Sequence, residues 1–427
     1  MKIKWYINMY SLSGEELYNQ ALIFKEKQDY DNYIIYLTMA ANYGYAAAIT
    51  NIYSCDTYKK QNYSVTIKFY EETTYNDNLK NSYSIHFLAF MYQSGLGVIQ
   101  NYTKALELYL LSIEKDNQYS MNNLAIMYRD GLGVNQNYTK TIELLEKTIE
   151  KGNYDALTNL ASMYRDGLGV IQNHTKAVEL FEKAIQKGSV VALVDLGYLY
   201  YYGLGVNQNY TKAIELFEKA IEKGSCAALV NLGYLYHYGL GVNQNYDKAV
   251  ELYTKAIEKG SNGKGCDVAL NNLAFCYQNG FSVPKNYDKA IDFFEKAIEK
   301  GSVDALNNLG TLYAKRNDNK HNYNEAIKLY QLAIEKNYTA SLNNLAFMYE
   351  HGKGVKQNYF IACELYEKAI KNGNNSKLKH LAKIYEKGIY VPQNYYRVIR
   401  LYKSDIKSET RLKTILQLNI DVEKTIT

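Results

Sequence analysis

Apolar residues recur along most of this chain at spacings of three and four, with polar residues between them. From Asn209 to Gly224, Ala213, Ile214, Leu216, Phe217, Ala220 and Ile221 fall on one side of a helix of 3.6 residues per turn. Asn209 stands where an N-cap side chain accepts from an early backbone N–H. Gly224 stands where a left-handed residue closes a helix. This segment is helix B of a unit. Helix A is represented by Ser225 to Tyr238, with Ser225 as its cap and Ala228, Leu232, Gly233 and Tyr236 as its apolar stripe. Gly239-Leu240-Gly241-Val242 follows, a short turn in which glycine lets the chain reverse. Alternation with a period of two, the mark of strands, is absent.

The unit recurs. Gly95, Gly131, Gly167, Gly203 and Gly239 each open the phrase Gly-x-Gly-Val-x-Gln-Asn, at intervals of 36 residues. The next interval is 41, which places a five-residue insertion near 261–266. Asn286, Asn322, Asn358 and Asn394 then resume the spacing of 36. Such a period signifies stacked units, and antiparallel helix hairpins repeated this way form an all-α solenoid. Residues 83–404 are the array. Residues 1–82 read as degenerate helical repeats and an N-terminal cap, with helices expected over 14–27, 30–42, 46–56 and 62–73. Residues 405–427 read as a C-terminal capping helix and tail.

Position 233 is small in every unit: Ala125, Ala161, Gly197, Ala274, Gly310, Ala346 and Ala382 are its equivalents. Small residues there are expected to let helix B approach helix A. Leu232 and Tyr236, with the tyrosines at 92, 128, 164, 200, 277, 313, 349 and 385, are expected to fill the layer between hairpins. On that reading truncating one such ring costs ~3–5 kcal/mol. The turns at Gly280-Phe281-Ser282, at 315–318 and at Gly388-Ile389-Tyr390 break the glycine pattern and are expected to differ in shape.

The pattern Ala-x-x-x-Leu-Gly-x-x-Tyr-x-x-Gly-x-Gly-Val…Asn-x-x-Lys-Ala-x-x-x-Phe/Tyr-x-Lys-Ala resembles the Sel1-like repeat, a longer relative of the tetratricopeptide repeat. The likeness runs from about Tyr83 to Arg400, with Asn209 where the family usually carries Asp and Phe217 where it often carries Trp. The resemblance implies a right-handed α-solenoid and a non-enzymatic scaffold or adaptor for other proteins. Its other branch implies a secreted or lumenal effector, or an enzyme inhibitor, which calls for a signal peptide or paired cysteines. The AT-rich residue usage, with 46 tyrosines against 12 phenylalanines, also resembles Sel1-like proteins of giant DNA viruses, which implies a host cytoplasm.

Charge changes little in this picture. The net charge is +5, with both signs interspersed, so no basic patch for nucleic acid is visible and no nucleic-acid partner is expected. No apolar run reaches the length of a membrane span. The five cysteines, 55, 226, 266, 276 and 363, fit no disulfide framework, and a reducing, cytoplasmic home for a monomer is expected. The Gly-x-Gly phrase lacks the third glycine and the preceding strand of a dinucleotide site. The six histidines fit no zinc spacing. No cofactor, metal or catalytic residue is expected. The sequons at Asn62, Asn101, Asn137, Asn173, Asn209, Asn337 and Asn374 mostly coincide with the helix-B cap, where capping explains them.

One ladder stands apart. Asn123, Asn159, Asp195, Asn231, Asn272, Asn308 and Asn344 occupy one position of successive A helices. Three residues on come Ile126, Ser162, Tyr198, Tyr234, Phe275, Thr311 and Phe347. In tetratricopeptide-like stacks helix A lines the concave side. A carboxamide both donates and accepts, so regularly spaced amides beside aromatics suit an extended peptide. The same amides suit a second purpose, bonding neighbouring repeats and holding them in register.

Overall fold

A computed structural model of the chain describes residues 12–45, 47–48, 51, 64–74, 82–259, 265–316, 320–388, 391–394, 396–398 and 401. Every regular element among the described residues is helical. The chain divides into two compact units, Met1–Leu216 and Phe217–Thr427.

The first unit begins with α1 (Gly14–Glu26), α2 (Tyr30–Asn42) and α3 (Ser64–Thr74), and continues with α4 (Ser82–Ser94) and α5 (Tyr102–Glu114). Three further A helices follow, α6 (Gln118–Asp130), α8 (Asp155–Asp166) and α10 (Val190–Tyr202), with the B helices α7 (Tyr138–Glu150) and α9 (His174–Gln186) between them. Helix α11 (Tyr210–Glu222) contains the division. In the second unit the A helices are α12 (Cys226–Tyr238), α14 (Cys266–Asn279), α16 (Val303–Arg316) and α18 (Ala340–His351). Their B partners are α13 (Tyr246–Lys259), α15 (Tyr287–Glu299), α17 (Lys320–Glu335) and α19 (Tyr359–Lys371), and α20 (Leu378–Lys387) packs on α19. Within each unit, consecutive helices form antiparallel hairpins and each B helix also packs on the next A helix. Each unit is thus an α-solenoid. Of the expected N-terminal helices, those at 14–27, 30–42 and 62–73 correspond to α1, α2 and α3. The one over 46–56 falls almost wholly outside the described residues, as does the capping helix over 405–427.

The recurring phrase is a joint between two helix ends. Its first glycine closes helix A in the left-handed region, at φ 68 for Gly131, 71 for Gly203 and 67 for Gly239. Its glutamine reaches back seven residues, donating Nε2 to a last-turn carbonyl: Gln136 to Arg129 and Gln172 to Arg165, both at 2.8 Å. Its asparagine donates its backbone N–H to the helix-A tyrosine carbonyl, as Asn137 does to Tyr128 and Asn245 to Tyr236 at 2.9 Å. The same asparagine caps helix B through Oδ1, accepting from Lys140, Lys212 and Lys248 at 2.9 Å. The groups that a helix end leaves unpaired are therefore met by the loop that joins the two ends. Each cap is worth ~1 kcal/mol.

The second glycine has a different purpose. A Cβ at Gly169 would lie 2.3 Å from Tyr138 Cβ, and one at Gly205 would lie 2.4 Å from the His174 carbonyl carbon. The turn after each A helix rests on the start of the preceding B helix, and only glycine leaves that space. Where Phe281-Ser282 replaces the glycine pattern, the expectation of a differently shaped turn is corrected. Gly280 keeps φ 78 and Ser282 itself takes φ 59. Ser282 Oγ bonds the Asp247 carboxylate, and Phe281 stacks on Tyr246 with ring centroids 4.5 Å apart. These contacts hold a non-glycine residue in a conformation that L side chains rarely adopt.

The core also departs from expectation in one respect. The helix-A tyrosines Tyr92, Tyr128, Tyr164, Tyr200, Tyr236, Tyr277, Tyr313 and Tyr349 are only half-buried, and Tyr385 alone of the series is buried. The residue before each is the buried one, as with Met127, Met163, Leu235, Leu312 and Met348. Within the repeat array the most deeply buried phenyl and phenol rings belong to helix B, among them Tyr109, Phe181, Tyr253, Phe294, Tyr330 and Tyr366. The small helix-A position makes room for them. A Cβ at Gly233 would lie 2.7 Å from Tyr253 Cε1, and one at Gly310 2.9 Å from Tyr330 Cε1. The helix-A tyrosines instead overhang the outgoing turn, where Lys104 lies 4.2 Å from the Tyr92 ring and Lys140 4.4 Å from Tyr128.

His86 on α4 is 1% exposed, with Nδ1 2.9 Å from Ser120 Oγ. Burial holds its pKa down at about 3, against an ordinary 6.5. The unfolded chain therefore takes up a proton that the folded chain refuses, and stability falls as pH drops from the unfolded value toward the folded one. The slope is at most ~1.4 kcal/mol per pH unit. Between pH 7 and pH 5 the chemical-denaturation midpoint should fall less in His86→Asn than in the parent. Identical pH slopes in the two proteins would contradict this assignment.

Candidate functional site

The helix-A ladder is the surface on which a site can be built. In the first unit, Asn123 Nδ2 donates to the Tyr109 hydroxyl at 3.1 Å, on helix B of the preceding hairpin. Asn159 Nδ2 reaches across to the previous repeat and donates to Asn122 Oδ1 at 2.9 Å. At the next rung the link is ionic: Arg165 Nη1 lies 3.0 Å from Asp195 Oδ1. Burial raises the Asp195 carboxyl above its usual range, and the guanidinium opposes that rise. Tyr198 stands on α10 with 39% of its surface exposed.

The second unit repeats the device. Asn308 Nδ2 donates to Asn271 Oδ1 at 2.9 Å, and Asn344 Nδ2 to Asn307 Oδ1 at 2.8 Å. Asn272 bonds the Tyr253 hydroxyl, whose phenol burial pushes well above its usual range. Asn231 is half-buried on α12. Three of the ladder amides thus commit a donor to an asparagine of the preceding repeat, the residue before its ladder position, while Asn123 and Asn272 bond that repeat's helix-B tyrosine. That asparagine was missed in reading the sequence. Its signal is the doubled asparagine: in Asn122-Asn123, Asn271-Asn272 and Asn307-Asn308 the first member receives from the ladder amide of the next repeat, whereas in Asn343-Asn344 the first member donates Nδ2 to Ser376 Oγ at 3.0 Å. A carboxamide has two donor hydrogens and an oxygen with two lone pairs, so a single bond leaves further capacity.

Four of the predicted residues, Tyr234, Asn272, Phe275 and Asn308, line one cavity of about 210 Å³ between α12, α14 and α16. Tyr238 completes the ring wall, 4.5 Å from Tyr234 between centroids. Asn271, Tyr253 and His237 complete the lining. His237 is 5% exposed, and burial holds its imidazole below the usual range. Its ring lies 5.9 Å from Phe275 and 5.5 Å from Phe281. Phe347 lies apart from this cavity, beside His351 at 4.1 Å and under Lys353 at 5.1 Å.

The N–H groups of Gly131 and Leu132 both bond the Met127 carbonyl as part of the helix ending. Burial pushes the Cys276 thiol up to about 12 and the Cys363 thiol to about 11, far from a nucleophile at neutral pH. Among the described residues no group of three or more His, Cys, Asp or Glu is placed to hold a metal ion. Nor, among them, is any helix long and apolar enough to cross a membrane.

A family model described as Sel1 repeat matches residues 82–117, 118–153, 155–189, 190–225, 226–261, 267–302, 303–338, 339–374 and 380–404, well over half of the chain. Among solved structures, the chain is similar to a protective antigen of uropathogenic Escherichia coli displaying an SLR fold. The two are 24% identical with a TM-score of 0.54, over 97% of this chain and 92% of that one. It is also similar to a Sel1 repeat protein from Oxalobacter formigenes, 22% identical with a TM-score of 0.48, over 58% of this chain and 97% of that one. At 24% identity the likeness to the antigen speaks for the fold alone. No curated protein matches the sequence.

Proposed function

This chain belongs to the Sel1 repeat family, whose members generally act as protein-interaction scaffolds, and from that premise we propose that it is a non-enzymatic adaptor holding an extended peptide segment of another protein along its helix-A face. The single observation that carries the reading is the cavity between α12, α14 and α16, where two ladder amides and two predicted aromatics meet. The ladder has both purposes in this view. One N–H of Asn308 and one of Asn344 keep register, and the remaining carboxamide groups receive the partner's backbone. Helix-B outer faces are poor competitors for this role. They carry charged pairs such as Glu251 with Lys248 and Lys255, which are strongly hydrated and individually weak.

The test uses peptides selected from a random display library against the full chain. Asn231→Ala, Asn272→Ala and Asn308→Ala combined should weaken the selected peptides at least tenfold. The two lost inter-repeat bonds, Asn308–Asn271 and Asn272–Tyr253, should also lower stability by ~1 kcal/mol each. A control on the outer face of α13, Glu251→Ala with Lys255→Ala, should leave affinity unchanged. Loss of stability with affinity retained would reduce the ladder to register-keeping alone.

A further inference from the structure

The cavity between α12, α14 and α16 has a definite chemical character. Its wall is made of rings, Tyr234, Tyr238 and Phe275, and its floor of carboxamides, Asn271, Asn272 and Asn308. These residues are uncharged, as is the Tyr253 phenol behind them, and buried His237 is neutral at physiological pH. At about 210 Å³ the space exceeds a cavity of ~150 Å³ known to admit benzene in another protein. One aromatic side chain fits.

The lining discriminates among occupants. A carboxylate, or the phosphate of a modified tyrosine, would lose its hydration with no cation to meet it. An ammonium or guanidinium would find ring faces but no carboxylate. A phenylalanine or leucine would satisfy the rings but desolvate the carboxamide sites that the Asn308–Asn271 and Asn272–Tyr253 bonds leave over, with nothing to meet them. A phenol satisfies both parts. Its ring meets Tyr234, Tyr238 and Phe275 in the tilted arrangements these rings already adopt among themselves (4.5 Å between Tyr234 and Tyr238). Its hydroxyl donates to a carboxamide oxygen and accepts from a carboxamide N–H.

We propose that this cavity is a specificity pocket for an unmodified tyrosine side chain of the bound peptide. The proposal rests on the helix-A reading of function, which it deepens by naming the anchor. Tyrosine phosphorylation of the partner would then release it, because a dianion cannot enter an uncharged pocket without loss of solvation.

The first experiment needs no peptide. The full chain is titrated with p-cresol, toluene and ethylguanidinium by ligand-observed NMR. The expected result is saturable p-cresol binding in the millimolar range, at least fivefold tighter than either analogue and at least fivefold weaker in Tyr234→Ala. Tyr234 is 39% exposed, and circular dichroism and melting verify that the variant folds. If Tyr234→Ala does not fold, Phe275→Leu takes its place. Absence of p-cresol binding, equal or tighter binding of toluene or ethylguanidinium, or indifference to the folded variant would overturn the proposal. The second experiment compares blocked Gly-Ser decapeptides carrying one central tyrosine, phosphotyrosine, arginine or alanine. Tyrosine should bind at least tenfold tighter than the other three. If p-cresol fills the pocket but the tyrosine peptide gains nothing over free p-cresol, the pocket stands and the extended-peptide reading fails.

Discussion

Phe294→Ala should destabilise the second unit by ~3–5 kcal/mol, the range for emptying a buried aromatic site. Phe294 is fully buried among Leu270, Ala274, Ala297, Leu309 and Leu312. Its neighbours come from α14, α15 and α16, so the ring joins its own hairpin to the next. Tyr277→Ala, three residues before Gly280 on α14, removes a ring of similar size that is only half-buried. Stacked against Phe293 at 5.6 Å and beneath Lys289 at 5.2 Å, Tyr277 should cost no more than ~1–2 kcal/mol. In a repeat array, stability is a sum of local terms and neighbour terms, and local opening replaces all-or-none unfolding. The measurement is therefore amide hydrogen exchange resolved by helix. Phe294→Ala should lose protection across α14 to α16, and Tyr277→Ala much less. Equal losses, or a larger loss in Tyr277→Ala, would restore the helix-A tyrosines as the core.

Gly205→Ala should be the most damaging of three glycine substitutions that share the same local strain. Gly188, Gly203 and Gly205 all lie at positive φ, 95, 71 and 71, where an L side chain costs ~1–2 kcal/mol. They differ in what a methyl group meets. At Gly188 nothing lies within 4 Å. At Gly203 the Gln208 Cβ and backbone N–H nitrogen lie at 3.1 Å. At Gly205 the His174 carbonyl carbon lies at 2.4 Å and its oxygen at 2.6 Å. Backbone of the preceding B helix cannot move aside as a side chain can, so displacement of the turn adds ~1–3 kcal/mol. Urea unfolding of the three variants should rank Gly188→Ala mildest, Gly203→Ala next and Gly205→Ala worst. Similar costs for all three would mean that the second glycine serves its own turn alone and not the joint between repeats.

Much of the fold was legible because it depends on local signals read many times over. The spacing of Ala213, Leu216, Phe217 and Ala220, the asparagine caps and the closing glycines are all properties of one helix or one helix end. What stayed hidden depends on a second repeat. Leu232 and Tyr236 share a helical face by spacing, yet Tyr236 is half-buried while Leu235 and His237 on either side of it are buried. Periodicity names a face but not which residue of the last turn the neighbouring helices cover. The second glycine of the turn faces the start of the preceding B helix, a contact absent from any single unit. Ser282 kept the turn because its hydroxyl finds Asp247, a compensation 35 residues away. The spacing of the ladder places it on one side of helix A, but much of its hydrogen bonding involves the residue before it. A lone asparagine at position 231 and a doubled one at 271 and 272 look alike as helix formers and differ as hydrogen-bonding partners.

A peptide footprint by hydrogen exchange tests the proposed binding face most directly. The full chain is compared with and without a saturating tyrosine-containing peptide from the display selection. Slowed exchange should concentrate on α12, α14 and α16, at Asn231 to Tyr238, Asn271 to Asn279 and Asn307 to Thr311, with α13 and α15 unchanged. Protection confined to the B helices, or to the turns between repeats, would place the partner elsewhere and contradict a helix-A binding surface.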